Sequence, residues 1–189
     1  MDAVKRSKEI FEQEISELQK LSNKIGVEMN AVVEMIYACK GKLVIMGIGK
    51  TGIIGHKIAS SLASTGTPTI FINAAEAMHG DLGMIAKNDI VLLISNSGSS
   101  SEIINVIAPL KKIGSRLIAM TGNPGSPLAN EAELVINVGV EKEACPLGLA
   151  PTTSTTATLV MGDALSICLM ERRNFKAENY GLYHPGGAL

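Results

Sequence analysis

Ile10, Phe11, Ile15, Leu18 and Leu21 recur at three- and four-residue steps among Glu, Lys and Gln, the stripe of an amphipathic helix. A second helix is predicted over 27–39. From there the texture changes. The runs KLVIMG (42–47), TPTIFIN (67–73), DIVLLIS (89–95), SRLIAM (115–120) and ELVINV (133–138) are short, apolar and often β-branched. Each reads as a strand buried on both faces. Between the first four lie 50–66, 76–88 and 99–113; the first and third predict full helices, and the second, with AEAMHGDLGM, at most a short one. Strands alternating with helices imply right-handed crossovers and a parallel sheet, an α/β fold. After the fifth strand, Pro151 and the Thr/Ser cluster at 152–156 start a helix that ends near Arg172 and Arg173, cations suited to its negative end. The tail AENYGLYHPGGAL predicts a loop. No repeat, low-complexity linker or boundary interrupts the pattern, so one domain is expected over 1–189, with N-terminal helices over 1–40 and a core with a C-terminal loop over 41–189.

Composition narrows the function. Lys and Arg number 17 against 18 Asp and Glu, a formal net charge of −1, and the chain has three Phe, three Tyr and no Trp. Phosphate-backbone binding needs a basic footprint and single-strand binding needs stacking platforms, so nucleic acid is not an expected partner. The charged start MDAVKRSKEIFEQE has no apolar core or cleavage site of a signal peptide, and no apolar run approaches the ~20 residues that span a bilayer. A cytoplasmic protein without membrane contact is expected. Cys39, Cys145 and Cys168 are odd in number, far apart and without CxxC spacing, which suggests neither a disulfide framework nor a thiolate zinc site.

Three segments and the histidines carry chemistry. Gly47-Ile48-Gly49-Lys50-Thr51-Gly52 is a formal GxGxxG between a strand and a helix. The ribose-binding acid expected about 20 residues on is missing, since the chain reads Ile72-Asn73-Ala74-Ala75 there. A glycine turn that lets a ligand approach a helix N-terminus fits better than NAD binding. Ser95-Asn96-Ser97-Gly98-Ser99-Ser100-Ser101-Glu102 again joins a strand to a helix, and its hydroxyls with free N–H groups suit a phosphate dianion better than a plain helix cap. The loop 141–151 (EKEACPLGLAP) is too apolar for an idle surface and is expected to line a site, with Glu143 as a candidate proton-transfer carboxylate. Of the histidines, His56 reads as a polar-face or packing residue, whereas His79 and His184 lie in glycine-flanked loops suited to acid/base work.

MGIGKTGIIGHKIASSLASTGTP, AMHGDLGMI, SNSGSSSEI, KEACPLGLAPTTSTTATLVMGDAL and HPGGAL together resemble the sugar isomerase (SIS) domain of the D-arabinose 5-phosphate isomerases, from about Lys42 to the end. The resemblance implies a three-layer αβα sandwich with a five-stranded parallel, flavodoxin-like sheet, and reversible conversion of D-ribulose 5-phosphate to D-arabinose 5-phosphate, which feeds the Kdo of lipopolysaccharide and capsules. It places catalytic roles on Lys50, Glu102, Glu143 and His184. The phosphate falls on Ser95, Asn96, Ser97 and Ser100, and Gly49, Gly66, Thr67 and His79 fall on substrate-contacting positions. Relatives carry a pair of CBS domains after HPGGAL, where this sequence ends, so regulation through them is not expected of it. Asn73 stands where many relatives have a zinc-sensitive His, and Ser99 replaces a Glu beside the phosphate loop.

Moving a proton between C1 and C2 requires a base and a donor for the enediolate, with no redox group; neither cofactor nor metal is expected. On this reading Glu143 or His184 carries the proton, Lys50 steadies negative charge, and Glu102 orients Lys50 or His184. A homo-oligomer, a dimer of dimers, with active sites shared between protomers is expected. The rival readings are an SIS isomerase for another phosphosugar and a non-catalytic sugar-phosphate sensor.

Overall fold

The computed structural model describes residues 1–186, so the last three residues of the HPGGAL motif lie outside the described residues. Five strands, β1 (Leu43–Gly47), β2 (Thr69–Asn73), β3 (Ile90–Ile94), β4 (Arg116–Thr121) and β5 (Leu134–Asn137), form one parallel sheet in the order β2-β1-β3-β4-β5. Registers such as Leu43↔Thr69 and Leu43↔Ile90 align their ends. The helices are α1 (Ala3–Ser22), α2 (Glu28–Tyr37), α3 (Gly49–Ser64), α4 (Ala74–Ala77), α5 (Ser101–Ile113), α6 (Pro127–Glu131), α7 (Thr153–Arg172) and α8 (Ala177–Tyr183), with a 3₁₀ turn at Asp81–Met84.

Strand side chains alternate between two cores. Leu43, Ile45, Leu92, Ile94, Ile118 and Met120 meet α2, α3 and α7 on one face. Val44, Met46, Val91, Leu93, Leu117 and Ala119 meet α4, α5 and α6 on the other. This is the expected αβα sandwich. β1 and β3 are buried along their whole length, but the edge strands β2 and β5 are only half-buried. The expectation of two-face burial therefore fails for these two, because an edge strand has a neighbour on one side only.

Three further differences have local causes. The tail predicted as loop forms α8. Its first turn is fixed by the Asn179 side chain accepting the Lys176 N–H at 2.9 Å, and Tyr183 stacks on Phe175, a contact that offsets Gly181 in the helix interior. The short α6 was not expected; Ser126 caps it by accepting the Ala129 N–H, and Pro127 suits its first turn. The apolar stripe of α1 splits: Leu18 and Leu21 pack inward, whereas Phe11 and Ile15 are 71% and 63% exposed and the carboxylate of Glu17 is buried. Against the sequence reading, α7 is long and apolar enough by composition to cross a membrane. Here it is a core helix packed on α3, with Thr153, Ser154, Thr158 and Ser166 buried in its face.

Candidate functional site

The strand order places a topological switch between β1 and β3, where the chain leaves in opposite directions, and ligands of open α/β sheets bind at the carboxyl edge of such a point. Both motif loops emerge there. Gly47 ends β1, and Gly49, with φ +57°, starts α3. Ser95 to Ser100 connect β3 to α5. Ile48, Lys50, Thr51, Ser95, Asn96, Ser97, Ser100 and Pro151 line a hollow of about 310 Å3 at this edge.

Two helix N-termini open onto the hollow. The first N–H groups of a helix have no partner inside it. Asp2, Asn73 and Ser126 satisfy one such group each on α1, α4 and α6. No side chain caps α3 or α5, and both begin at this hollow. Their N–H groups and dipoles, with the Lys50 ammonium, suit a dianion. The Ser loop is held in shape from within: Ser95 Oγ lies 3.0 Å from Ser100 Oγ and accepts the Gly98 N–H at 3.1 Å. Gly98 has φ +65°, and a Cβ there would lie 2.0 Å from Ser126 Oγ, so only glycine fits.

Thr51, Asn96 and Pro151 also border a larger cleft of about 760 Å3, so the two spaces are continuous. Its walls are Val140 to Leu149, Ser154, Thr155 and Thr158, with Arg6 and Gln13 from α1. The acid-flanked apolar loop thus lines a site, as its composition suggested. Glu143 is fastened at the start of α7: its Oε2 accepts the Thr152 N–H (2.8 Å), the Thr152 hydroxyl (2.9 Å) and the Ser154 N–H (3.2 Å). Burial pushes the Glu143 carboxyl up, but the Ser154 and Thr152 donors outweigh it and hold it below the usual carboxylate range. These three bonds all fall on Oε2.

Glu102 is in the first turn of α5, where it accepts the Ser101 hydroxyl at 2.9 Å; it is not engaged with Lys50 or His184 as expected. His79 is exposed on the turn after α4 and lines neither space. Gly66 and Thr67 precede β2 at the amino edge of the sheet, opposite the edge from which the Ser loop emerges, and His184 follows α8 on that side. Thr67 Oγ1 accepts from Arg173 Nε at 3.1 Å, and Gly66 (φ +93°) abuts the Phe175 ring. His184 follows α8, which Tyr183 holds to the same Phe175, and its Nδ1 lies 2.9 Å from the Tyr180 carbonyl. One chain therefore assembles Lys50, Glu143 and the Ser loop but not His184. His56 is exposed on α3 and stacks on Phe71, which fits the polar-face or packing reading and gives it no place in either space. Sequence reading missed Thr152 and Gln13; Thr152 was seen only as helix-start chemistry, and a glutamine 130 residues from its partner leaves no local signal.

The SIS domain model matches residues 35–168. Arabinose 5-phosphate isomerase KdsD of Pseudomonas aeruginosa is 55% identical over 88% of this chain and 51% of its own length. The Escherichia coli K12 protein of the same name is 51% identical over 100% of this chain and 57% of its own. This chain spans about half the length of these curated relatives. Among solved structures, E. coli CFT073 c3406 in complex with arabinose 5-phosphate superposes with a TM-score of 0.95 at 42% identity, covering 97% of this chain and 98% of that one. By sequence and by fold, the chain belongs to the SIS domain family.

Proposed function

We propose that the chain is an aldose–ketose isomerase that interconverts D-ribulose 5-phosphate and D-arabinose 5-phosphate. The observation that carries this reading is the hollow where two uncapped helix N-termini, the Ser95–Ser100 hydroxyls and Lys50 converge, opening directly onto the cleft walled by Glu143. It offers a phosphate anchor and, next to it, a carboxylate. Relatives named for this activity, and arabinose 5-phosphate bound in a structure of nearly equal length, support it.

The phosphate docks on the Ser loop, and this remote binding energy positions C1 and C2 at the cleft. Glu143, kept ionised through neutral pH by its donors, and His184 divide proton transfer at carbon from proton transfer at the hydroxyl and ring oxygens. Lys50 steadies the enediolate oxygen. The product suits the Kdo pathway of lipopolysaccharide or capsule, and the enzyme works in the cytoplasm where its phosphosugar is made.

His184, Gly66 and Thr67 reach a site only by serving that of a neighbouring copy. The exposed apolar residues Val4, Phe11 and Ile15 of α1 and Val160 and Ile167 of α7 offer the surface for such an assembly, in keeping with a dimer of dimers. Mixed oligomers of Lys50→Ala and His184→Asn should regain activity that neither parent has; none despite verified subunit exchange refutes sharing. The activity itself is tested with EDTA-treated protein and D-arabinose 5-phosphate, following ribulose 5-phosphate, with ribose 5-phosphate as control. Selective turnover of the arabinose epimer is expected. Binding without turnover makes the chain a phosphosugar-binding module instead.

A further inference from the structure

The loop that carries Glu143 is held by α1, a helix outside the segment that the SIS domain model matches. Gln13 Nε2 donates to the Glu143 carbonyl at 2.9 Å, joining residues 130 apart in sequence. One turn on, the Glu17 carboxylate is 4% exposed and accepts the Glu141 N–H at 2.6 Å. Lys20 bridges Glu17 (2.8 Å) and Glu141 (2.6 Å), and Glu14 accepts the Thr156 hydroxyl at 3.1 Å. Burial pushes the Glu17 carboxyl up, and Lys20 with the Glu141 N–H more than reverses it, so the buried acceptor stays ionised.

A lone buried carboxylate in a helix face is costly unless it is bonded. Here the bonds of Gln13 and Glu17 to the loop fall on the two backbone groups that flank Lys142, a donor before it and an acceptor after it. The Glu143 C=O lies in one of the two peptide planes that meet at the Glu143 Cα, and the Glu141 N–H anchors the chain two peptide planes before them. From the other side, Thr152 and Ser154 fix the Glu143 carboxylate. The residue is thereby gripped at both ends, by α1 through its backbone and by α7 through its side chain.

We propose that Gln13 and Glu17 are positioning residues for Glu143, so that α1 is part of the active-site machinery as well as the fold. This rests on the reading of Glu143 as a group that acts on the sugar phosphate. Gln13 touches the main chain of Glu143 and lines the cleft but is assigned no part in the chemistry. Misplacing a reacting group by about 1 Å can cost about a hundredfold in rate. Loss of Gln13's single bond is expected to cost about tenfold in kcat.

The test compares Gln13→Met, which keeps length without a donor, and Glu17→Leu with Glu17→Gln, which still accepts the Glu141 N–H. In the full chain, Gln13→Met and Glu17→Leu should lower kcat about tenfold while KM for the sugar phosphate stays within about twofold, because the Ser loop is untouched. Glu17→Gln should restore most of kcat. Amide exchange at 141–145 should quicken in the two impaired variants and stay unchanged along β1 and β3. Wild-type kcat in Gln13→Met, or equal loss in Glu17→Gln and Glu17→Leu, overturns the proposal. So does exchange at 141–145 that none of them alters. An inactive wild-type protein refutes the isomerase reading instead, and the exchange rates then decide alone whether α1 grips the segment.

Discussion

Replacing Thr152 by valine removes one hydroxyl and keeps the shape of the side chain. That hydroxyl is one of three donors on Glu143 Oε2, at 2.9 Å; the Thr152 and Ser154 N–H groups, at 2.8 and 3.2 Å, remain. The Ala144 N–H, which it also receives, keeps Thr153 Oγ1 at 3.0 Å, while the Cys145 N–H at 3.3 Å loses its acceptor. A hydrogen bond to a charged group contributes about 1.5–3 kcal/mol, and one pKa unit corresponds to about 1.4 kcal/mol. Solvent at the half-buried site screens part of this, so the Glu143 pKa should rise and stability should fall by about 1–2 kcal/mol at neutral pH.

The sign follows from the direction of the shift. The Glu143 pKa is lowered on folding, so its contribution is present above the unfolded carboxylate value, about 4.3, and is lost as pH falls through the folded value. Denaturant unfolding should show the full difference between wild type and Thr152→Val near pH 7 and a smaller one below about pH 4. The acidic limb of kcat/KM should move to higher pH in Thr152→Val and stay in place in Thr152→Ser, which keeps the hydroxyl. An acidic limb that does not move in the valine variant refutes the assignment of that limb to Glu143. Equal movement in both variants, one of which keeps the hydroxyl, refutes loss of the hydroxyl bond as the cause.

Gly98→Ala places a Cβ 2.0 Å from Ser126 Oγ at φ +65°, so the Ser loop must shift; KM for the sugar phosphate should rise at least about tenfold in steady-state assays, with secondary structure by circular dichroism unchanged. Asp89 is 2% exposed and accepts from the Lys42 N–H (2.9 Å), Lys42 Nζ (2.6 Å) and the Ala86 N–H (2.8 Å). Asp89→Ala orphans all three and should cost about 3 kcal/mol in denaturant unfolding at neutral pH. Burial raises the Asp89 pKa, but Lys42 and Ala86 lower it further, so this stabilisation is lost as pH falls through the folded value and the deficit should shrink in acid. The Cys145 thiol is lowered by the N–H groups of Ala150, Leu149 and Leu147 and lines the cleft, so iodoacetamide near pH 7 should alkylate it faster than Cys39 or Cys168, with sugar phosphate protecting it. Peptide mapping that shows no preference contradicts this.

The order of strands and helices was legible in the chain because each signal is local. Leu43, Ile45, Val44 and Met46 need only the period of two to divide between the faces of a strand, and the alternation with helices 50–66 and 99–113 implies the parallel sheet. The Ser95–Ser100 loop was legible for the same reason: its hydroxyls, its glycine and the helix start lie within a few residues. Pattern alone also placed Glu143 in a loop too apolar to be idle. What it did not contain is which of these residues meet. His184 falls at the amino edge because α7 runs the length of the sheet and returns the chain to the far side, where Phe175 and Tyr183 dock α8 beside Gly66, which the turn from α3 into β2 had already placed there. Gln13 and Glu17 read as the solvent side of an amphipathic helix, yet they turn inward because loop 139–143 offers unpaired backbone groups that only polar side chains satisfy. Elements and phosphate loop could thus be read from the linear chain, since their physics is nearest-neighbour. The grip of α1 on Glu143 and the separation of His184 from it emerge only on folding, because they depend on contacts between residues more than a hundred positions apart and on the path that a long core helix gives the chain.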